Sequence, residues 1–268
     1  MTMSPELMLL FEFGLKMLLT AAIVVVASVA VERSGPFIGA LIAALPTAAG
    51  AAYIILAIEH PPAFIAASAV GTVVANAVVA VFALAYAALA QRHGLLVSLG
   101  GALLVWSAGA AAMHQMTWTP LGAVLLNALV FAITVWASRR FRIGGPPAGH
   151  PKAGAQDIAL RAVTVAVFVV LVTTASHRIG SLASGMLAVF PVAMSSFFVI
   201  LHPRIGGRAA ATVAAHVQAP LIGLGLGFLA VHHLAVPMGT WWALAAGLVI
   251  SVTWNGLLWA WKQRAAGR

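Results

Sequence analysis

Residues 11–56 of this chain read FEFGLKMLLTAAIVVVASVAVERSGPFIGALIAALPTAAGAAYIIL, and residues 156–201 read QDIALRAVTVAVFVVLVTTASHRIGSLASGMLAVFPVAMSSFFVIL. The two stretches align without a gap, 145 residues apart, and 12 of their 46 positions are identical. Many identities are Ala or Val, so the rarer matches are the most informative. These aligned pairs are Arg33 and Arg178, Gly35 and Gly180, and Pro46 and Pro191. An internal duplication in a bilayer protein is typical of transporters, whose halves rock around a shared site.

The composition places the chain in a membrane. Hydrophobic residues make up 63% of it and charged residues 7%, whereas a soluble domain has about 25% charged residues. The formal net charge of +9 is therefore interpreted as an orientation signal rather than as a nucleic-acid surface. The chain has no cysteine, which excludes disulfides and thiolate metal sites.

Nine apolar runs have the length of a transmembrane helix, which needs about 20 residues to cross a hydrocarbon core of about 30 Å. The runs are continuous rather than alternating, which favours helices over a barrel. The predicted spans are 8–31, 36–58, 62–90, 95–113, 119–138, 158–176, 179–201, 208–231 and 239–261.

The basic residues predict the orientation. The long linker between spans five and six is basic and rich in Gly and Pro, and we place it inside. Twelve of the 14 Lys and Arg residues then fall on the inner side, and only Lys16 and Arg178 fall outside. This bias follows the positive-inside rule and predicts an outer N-terminus and an inner C-terminus.

Five crossings separate the starts of the two copies, so the copies cross the membrane in opposite directions. The predicted fold is an all-α integral membrane protein with a 4+1+4 inverted-topology repeat. After a small deletion the likeness continues, with His60-Pro61 on His202-Pro203. The predicted units are a first repeat (8–113), a linker helix (119–138), a cytoplasmic loop (139–157) and a second repeat (158–262).

Prolines near the middle of two aligned spans predict broken or kinked helices. Pro46 and Pro191 lie about ten residues into their spans, which is about 15 Å at 1.5 Å per residue. A proline there frees a backbone carbonyl, which in lipid must find a partner or line a polar cavity. We therefore expect a substrate site between the two proline helices, and small or hydroxyl side chains follow each proline. The candidate residues on these helices are Pro46, Thr47, Gly50, Tyr53, Pro191, Ser195 and Ser196.

Polar side chains deep in two aligned spans extend this site. The repeat superposes Asn76 on His216, and a shift of two residues places Gln218 on Asn76 instead. An unpaired amide or imidazole is costly in hydrocarbon, so these groups should face the protein interior. Asn76 is a substrate-binding candidate, and His216 is the candidate for proton coupling because imidazole titrates near neutral pH.

Two charge pairs with i,i+4 spacing stand at span ends. Glu12 with Lys16 and Asp157 with Arg161 occupy aligned positions, and each pair can close on one helix face. They either neutralise a helix end or act as gates that break and re-form with conformation.

Histidines occur in each predicted outer loop. Imidazole is a ligand for zinc, nickel or copper, but no H-x3-H or similar spacing is present. A transition-metal transporter or a metal-responsive membrane protein is therefore an open alternative. The candidate ligands are His60, His114, His177, His232 and His233.

These features favour a secondary active transporter that moves a small polar or anionic solute by alternating access. A passive channel or a membrane assembly factor is also consistent with them. No H-E-x-x-H motif or membrane-embedded acidic pair indicates an enzyme, and no cofactor is expected. The expected partners are the lipid bilayer and a small-molecule solute, with a homodimer left open and no nucleic acid. The expected location is a bacterial-type inner membrane, crossed several times.

Overall fold

The backbone is helical almost throughout. The computed structural model describes residues 47–142 and 154–266, together with 14, 16–18, 20–22 and 25–26. Within these residues there is no strand. The helices are α1 (Thr47–Glu59), α2 (Pro62–Leu89), α3 (Leu95–His114), α4 (Pro120–Ser138), α5 (Ala155–Ala188), α6 (Val192–Ile205), α7 (Gly207–His216), α8 (Gln218–Met238) and α9 (Thr240–Ala266).

Six helical stretches among the described residues are long and apolar enough to cross a membrane. The prediction of an all-α protein with several helices able to cross a membrane is therefore confirmed. The nine-span count and the 4+1+4 arrangement stay predictions. The six stretches are Pro62–Leu89, Leu95–His114, Pro120–Phe141, Gln156–Ile205, Gly207–Met238 and Thr240–Trp261.

The longest of these stretches folds back on itself. A straight helix of 50 residues would be about 75 Å long at 1.5 Å per residue. Instead, Arg204 Nη2 lies 2.8 Å from Asp157 Oδ2, so the two ends of the stretch meet. The chain reverses near Gly180, whose φ of 78° and ψ of 174° interrupt α5. Only glycine adopts these angles without strain, which explains why the helix breaks at this residue.

A second break lies at Pro191, as the sequence predicts. Helix α5 ends at Ala188 and α6 begins at Val192, with Pro191 (φ −74°, ψ 42°) between them. Proline has no N–H to continue the ladder, and its ring clashes with the preceding turn. The matching prediction at Pro46 lies outside the described residues.

Helix α2 forms the centre of the bundle. It packs against α3, α4, α5, α7 and α8, and most of its residues are buried. Its sequence is mainly Ala, Val and Gly, so neighbouring backbones can approach closely. A Cβ atom on Gly71 would collide with the carbonyl oxygen of Leu182, and one on Gly185 would collide with that of Ser68. Helices α2 and α5 therefore pack backbone to backbone.

The outer faces of the peripheral helices are apolar and suit lipid. On α9, Trp242 is 72% exposed near the start of the helix and Trp261 is 73% exposed near its end. Trp261 lies 19 positions after Trp242, which corresponds to about 28 Å of helix, close to the thickness of the hydrocarbon core of about 30 Å. Exposed tryptophans at both ends of a span are typical of the two membrane interfaces.

The backbone contact between α2 and α5 gives the first prediction. Gly185→Ala should destabilise the protein by about 1–3 kcal/mol, because the new methyl group must displace the Ser68 carbonyl. Gly100→Ala on α3 is the matched control, since no atom in the described part of the chain lies within 4 Å of its added Cβ. The midpoint of heat-induced aggregation, followed by size-exclusion chromatography in detergent, should fall only for Gly185→Ala. Equal midpoints for the two variants would contradict the close packing.

Candidate functional site

A group of side-chain amides lies in the interior where α2, α4 and α8 meet. Asn76 on α2 is fully buried. Its Nδ2 donates to Asn127 Oδ1 of α4 at 3.1 Å and to the Leu221 carbonyl of α8 at 3.0 Å. One amide thus bridges three helices, as a buried polar group in hydrocarbon requires.

Two further amides complete this group. Asn127 Nδ2 donates to the Val73 carbonyl of α2 at 2.6 Å and to the Ala123 carbonyl of its own helix at 2.8 Å. Gln218, also fully buried, donates from Nε2 to the Ala80 carbonyl at 3.0 Å. We call Asn76, Asn127 and Gln218 the amide cluster. In the sequence analysis, Gln218 aligns with Asn76 only when the repeat is shifted by two residues.

The amide cluster leaves acceptors unused. Asn76 Oδ1 and Gln218 Oε1 are buried and have no hydrogen-bond partner among the described residues. A buried acceptor without a donor costs about 1–3 kcal/mol, so such atoms call for an explanation. A water molecule, a protonated group or a polar solute would satisfy both.

A buried tyrosine of α1 bonds to the turn of α2 that precedes Asn76. Tyr53 of α1 is fully buried, and its ring centroid lies 4.6 Å from that of Phe228 on α8. Its hydroxyl is 2.7 Å from Thr72 Oγ1, and Thr72 donates to the Gly185 carbonyl at 2.7 Å. Because that bond uses the one hydroxyl hydrogen of Thr72, Tyr53 is the donor to Thr72. Tyr53 thus bonds to a residue of α2, Thr72, that lies one turn before Asn76.

A similar cluster lies toward the other end of α2. The Tyr86 ring stacks on Phe198 of α6 at 3.8 Å, and its hydroxyl lies 2.8 Å from His202 Nδ1. Tyr86 and His202 are both buried. The sequence used His202 only to align the repeat, and Tyr86 was missed, since a tyrosine in an Ala-rich helix carries no motif.

The predicted residues around Pro191 lie at the start of α6. Pro191 has no N–H to donate to the Leu187 carbonyl, and Phe190 N donates to that carbonyl at 2.8 Å instead, so the carbonyl freed at the break is satisfied locally. Ser196 Oγ donates to the Ala193 carbonyl at 2.9 Å, whereas Ser195 Oγ is buried without a partner among the described residues. On α1, Gly50 is half-buried, and no atom of the described residues lies within 4 Å of an added Cβ. The Thr47 side chain lies outside the described residues, as Pro46 does.

His216 closes α7, immediately before the kink at Val217 that separates it from α8. Its Nδ1 lies 2.7 Å from the Thr212 carbonyl, to which it donates. The ring is partly exposed, while Gln218 two residues later is fully buried. The register that places Gln218 on Asn76 therefore matches the burial better than the one that places His216 there.

Basic side chains line a cavity of about 280 Å³ at the predicted inner end of the bundle. Three arginines contribute, and no carboxylate lines it among the residues that the structure describes. The sequence assigned these arginines only to orientation, because neither the α2–α3 loop nor the start of α7 has a local motif. The lining residues are Gln91, Arg92, Arg140, Phe141, Arg208 and Thr212.

Two predicted metal ligands come together at the predicted outer end. His60 and His177 have ring centroids 4.5 Å apart, and His177 Nε2 lies 3.5 Å from Glu59 Oε2. Burial is the main reason that the pKa of His60 lies below its usual value; nearby His177 lowers it further and Glu59 opposes the shift. These surroundings favour the neutral form of the His60 ring.

The other candidate histidines lie apart from this group. His114 is exposed at the end of α3. His232 and His233 have ring centroids 4.9 Å apart, and His232 Nδ1 donates to the Ala66 carbonyl at 2.8 Å. Among the described residues, only Glu59, His60 and His177 form a group of three with ligand spacing.

The predicted charge pairs have partners elsewhere in the fold. Lys16 forms an ion pair with Glu59, while its predicted partner Glu12 lies outside the described residues. Asp157 pairs with Arg204 of α6, and the Arg161 guanidinium lies 4.9 Å from the Phe197 ring centroid. Each ion pair thus joins residues that the sequence places on the same side of the membrane.

No protein-family model, no curated protein and no solved structure matches this chain. The residues of the chain itself are therefore the guide to its function.

The amide cluster gives the second prediction. Asn76→Ala and Asn127→Ala should each destabilise the protein. Each single variant removes the same hydrogen bond between Asn76 and Asn127. The loss of unfolding free energy in the double variant should therefore be about 1 kcal/mol smaller than the sum of the two single losses. Unfolding in mixed micelles measures the three losses. Strict additivity would show that the two amides do not interact.

Proposed function

We propose that the protein is a secondary active transporter that moves a small polar or anionic solute by alternating access between two inverted repeats. A crossed pair of aromatic contacts carries the proposal. The ungapped copies align Tyr53 with Phe198, and the His60–His202 register aligns Tyr86 with Phe228. Tyr53 contacts Phe228, and Phe198 contacts Tyr86. A two-fold rotation that exchanges the copies would convert one contact into the other.

The direction of the helices supports the same relation. Three hydrogen bonds join α2 to α8. From one bond to the next, the residue number on α8 increases while the residue number on α2 decreases, so the two helices are antiparallel. Equivalent helices that cross at a two-fold axis in the membrane plane must run antiparallel, as in inverted-repeat transporters. The bonds are Gln218 to Ala80, Asn76 to Leu221, and His232 to Ala66.

The amide cluster is suited to a solute site at mid-depth. Asn76 stands 14 residues into the 28-residue α2, which is about 21 Å along the helix axis. The unpartnered acceptors Asn76 Oδ1 and Gln218 Oε1 lie where α2 and α8 cross. Transporters bind their solutes near the midplane between repeats, where such groups are exposed in turn to either side.

The basic cavity favours an anionic solute. Arg92, Arg140 and Arg208 place three positive charges around one space at the predicted inner end. Guanidinium groups bind carboxylate or phosphate oxygens in bidentate fashion, and a positive cavity raises the local concentration of anions. The cavity would serve as the inner entrance to the amide cluster.

His216 is the proposed coupling group. It lies at the kink between α7 and α8, two residues from Gln218, so its protonation would alter the helix that carries the amide cluster. The sequence has no G-x4-G-K-[ST] motif, so an ion gradient is the natural energy source for this chain.

Thiol labelling tests the third prediction, that the two tyrosines open to opposite sides. The chain has no cysteine, so Tyr53→Cys and Tyr86→Cys each introduce one thiol. In oriented vesicles, a membrane-impermeant maleimide should reach residue 53 only from one side and residue 86 only from the other. Reversing the pH gradient should raise one labelling rate and lower the other, because the two accessible states exchange.

Ala243→Cys is the matched control, because Ala243 is also fully buried but lies on α9, away from the crossing. It should stay unlabelled from both sides. Simultaneous labelling of residues 53 and 86 would indicate a channel instead. Absence of labelling at both positions under either gradient would indicate a rigid scaffold.

Solute flux tests the fourth prediction. Proteoliposomes with an imposed pH gradient should accumulate at least one of radiolabelled phosphate, sulfate, succinate or lactate above empty liposomes. Arg208→Gln should raise KM at least about tenfold, since a charge-assisted hydrogen bond contributes about 1.5–3 kcal/mol. Arg264→Gln is the control, because Arg264 is exposed near the end of α9 and does not line the cavity. His216→Gln should remove the dependence on the pH gradient; flux of none of the four anions would count against the anionic class.

A further inference from the structure

We propose that Glu59, His60 and His177 bind one divalent transition-metal ion, of the zinc class, at the predicted outer end of the bundle. The three residues come from the end of α1, the α1–α2 loop and the part of α5 before Gly180. One carboxylate and two imidazoles are a ligand set that zinc uses when a fourth position is left to water. The site is separate from the amide cluster and does not depend on solute transport.

The spacing of the ligand atoms fits a metal. One ligand atom from each residue lies within 4.8 Å of the others, and Glu59 Oε2 and His177 Nε2 are 3.5 Å apart. In a tetrahedral zinc site with bonds of 2.0–2.2 Å, ligand atoms are about 3.3–3.6 Å apart. The carboxylate and one imidazole already have this separation, so small side-chain rotations would complete the site.

His60 is held in a form suited to ligation. Its ring stacks on Phe64, with centroids 3.8 Å apart and planes 8° from parallel. Its Nε2 lies 2.7 Å from Ser176 Oγ, and that hydroxyl donates to the Thr173 carbonyl at 2.5 Å. Because the hydroxyl hydrogen of Ser176 is used there, Nε2 of His60 must be the donor, which leaves the lone pair on Nδ1. A second-layer hydrogen bond of this kind fixes the tautomer of most metal-bound histidines.

Lys16 contacts the same Glu59 carboxylate that would bind the metal. Lys16 contacts Glu59 Oε1, while Oε2 faces His177. The ammonium is held close to the carboxylate, and its positive charge repels a cation. Lys16 should therefore set the affinity, and replacing it with a neutral side chain should strengthen binding.

A bound ion would tie α1 to α5 beside the break at Gly180. His177 stands three residues before that glycine, whose angles end the regular helix. Coordination would couple the angle of the break to the position of α1, which carries Tyr53 at the α8 contact. A metal that binds one conformation better than another shifts the population toward it.

Zinc titration of the purified full chain without a histidine tag tests the fifth prediction. Calorimetry should give one saturable site per chain, with no thiolate background because the chain lacks cysteine. Glu59→Gln and His177→Ala should each weaken binding at least about tenfold, whereas Lys16→Met should tighten it. His177 is 58% exposed, so its removal leaves the packing intact.

His114→Ala and His232→Ala are the matched controls and should change the affinity less than about twofold. A second readout is heat stability: zinc should raise the unfolding midpoint of the wild type and leave that of His177→Ala unchanged, because only a bound metal stabilises the fold. Equal loss of affinity in the controls, or wild-type affinity in a Glu59→Gln/His177→Ala double variant, would overturn the proposal. Neither readout requires transport, so this site and the solute pathway can fail independently.

Discussion

The close approach of α2 to its neighbours is the constraint on which the rest of the structure depends. Lipid tails are as apolar as leucine, so helices in a bilayer associate through packing and hydrogen bonds rather than by escaping solvent. At Gly71 and Gly185 the backbones of α2 and α5 are so near that a Cβ atom would overlap a carbonyl oxygen. The same nearness lets the short Asn76 side chain reach a carbonyl of α8. Larger residues on α2 would remove both the contact and the amide cluster.

The two aromatic contacts have the same composition but different hydrogen-bond partners. Each contact pairs one Tyr with one Phe, and in each case the Tyr belongs to the first copy. The hydroxyls then bond to different partners, Thr72 in one case and His202 in the other. In the proposed repeat, two equivalent contacts thus have different polar surroundings. Since alternating access needs two states of unequal shape but similar energy, such differences are where the balance between them would be set.

The sequence predicts the class of the fold, the break at Pro191 and the burial of Asn76, because composition, proline chemistry and the cost of a polar group in lipid act locally. It predicts a boundary between spans six and seven at 176–179, next to the observed break, but not that Gly180 forms the break, since glycine is common in membrane helices and the need for a positive φ depends on the turn. It also misses the pairing of Asp157 with Arg204, the arginine cavity and the meeting of Glu59 with His177. Each joins residues far apart in the chain, so only the packing of helices brings them together.

The two ends of the bundle differ in charge, and this bears on how the proposed transporter could work in one direction. Among the described residues, three arginines and no carboxylate line the predicted inner cavity. At the predicted outer end Glu59 is neutralised by Lys16 and bordered by imidazoles. An anion would bind the inward-open state through the arginines and lose those contacts in the outward-open state. A ligand shifts an equilibrium only by its difference in affinity between states, so the solute would favour the inward-open form. A proton on His216 or a metal at Glu59 would then supply the opposing preference that lets the cycle proceed.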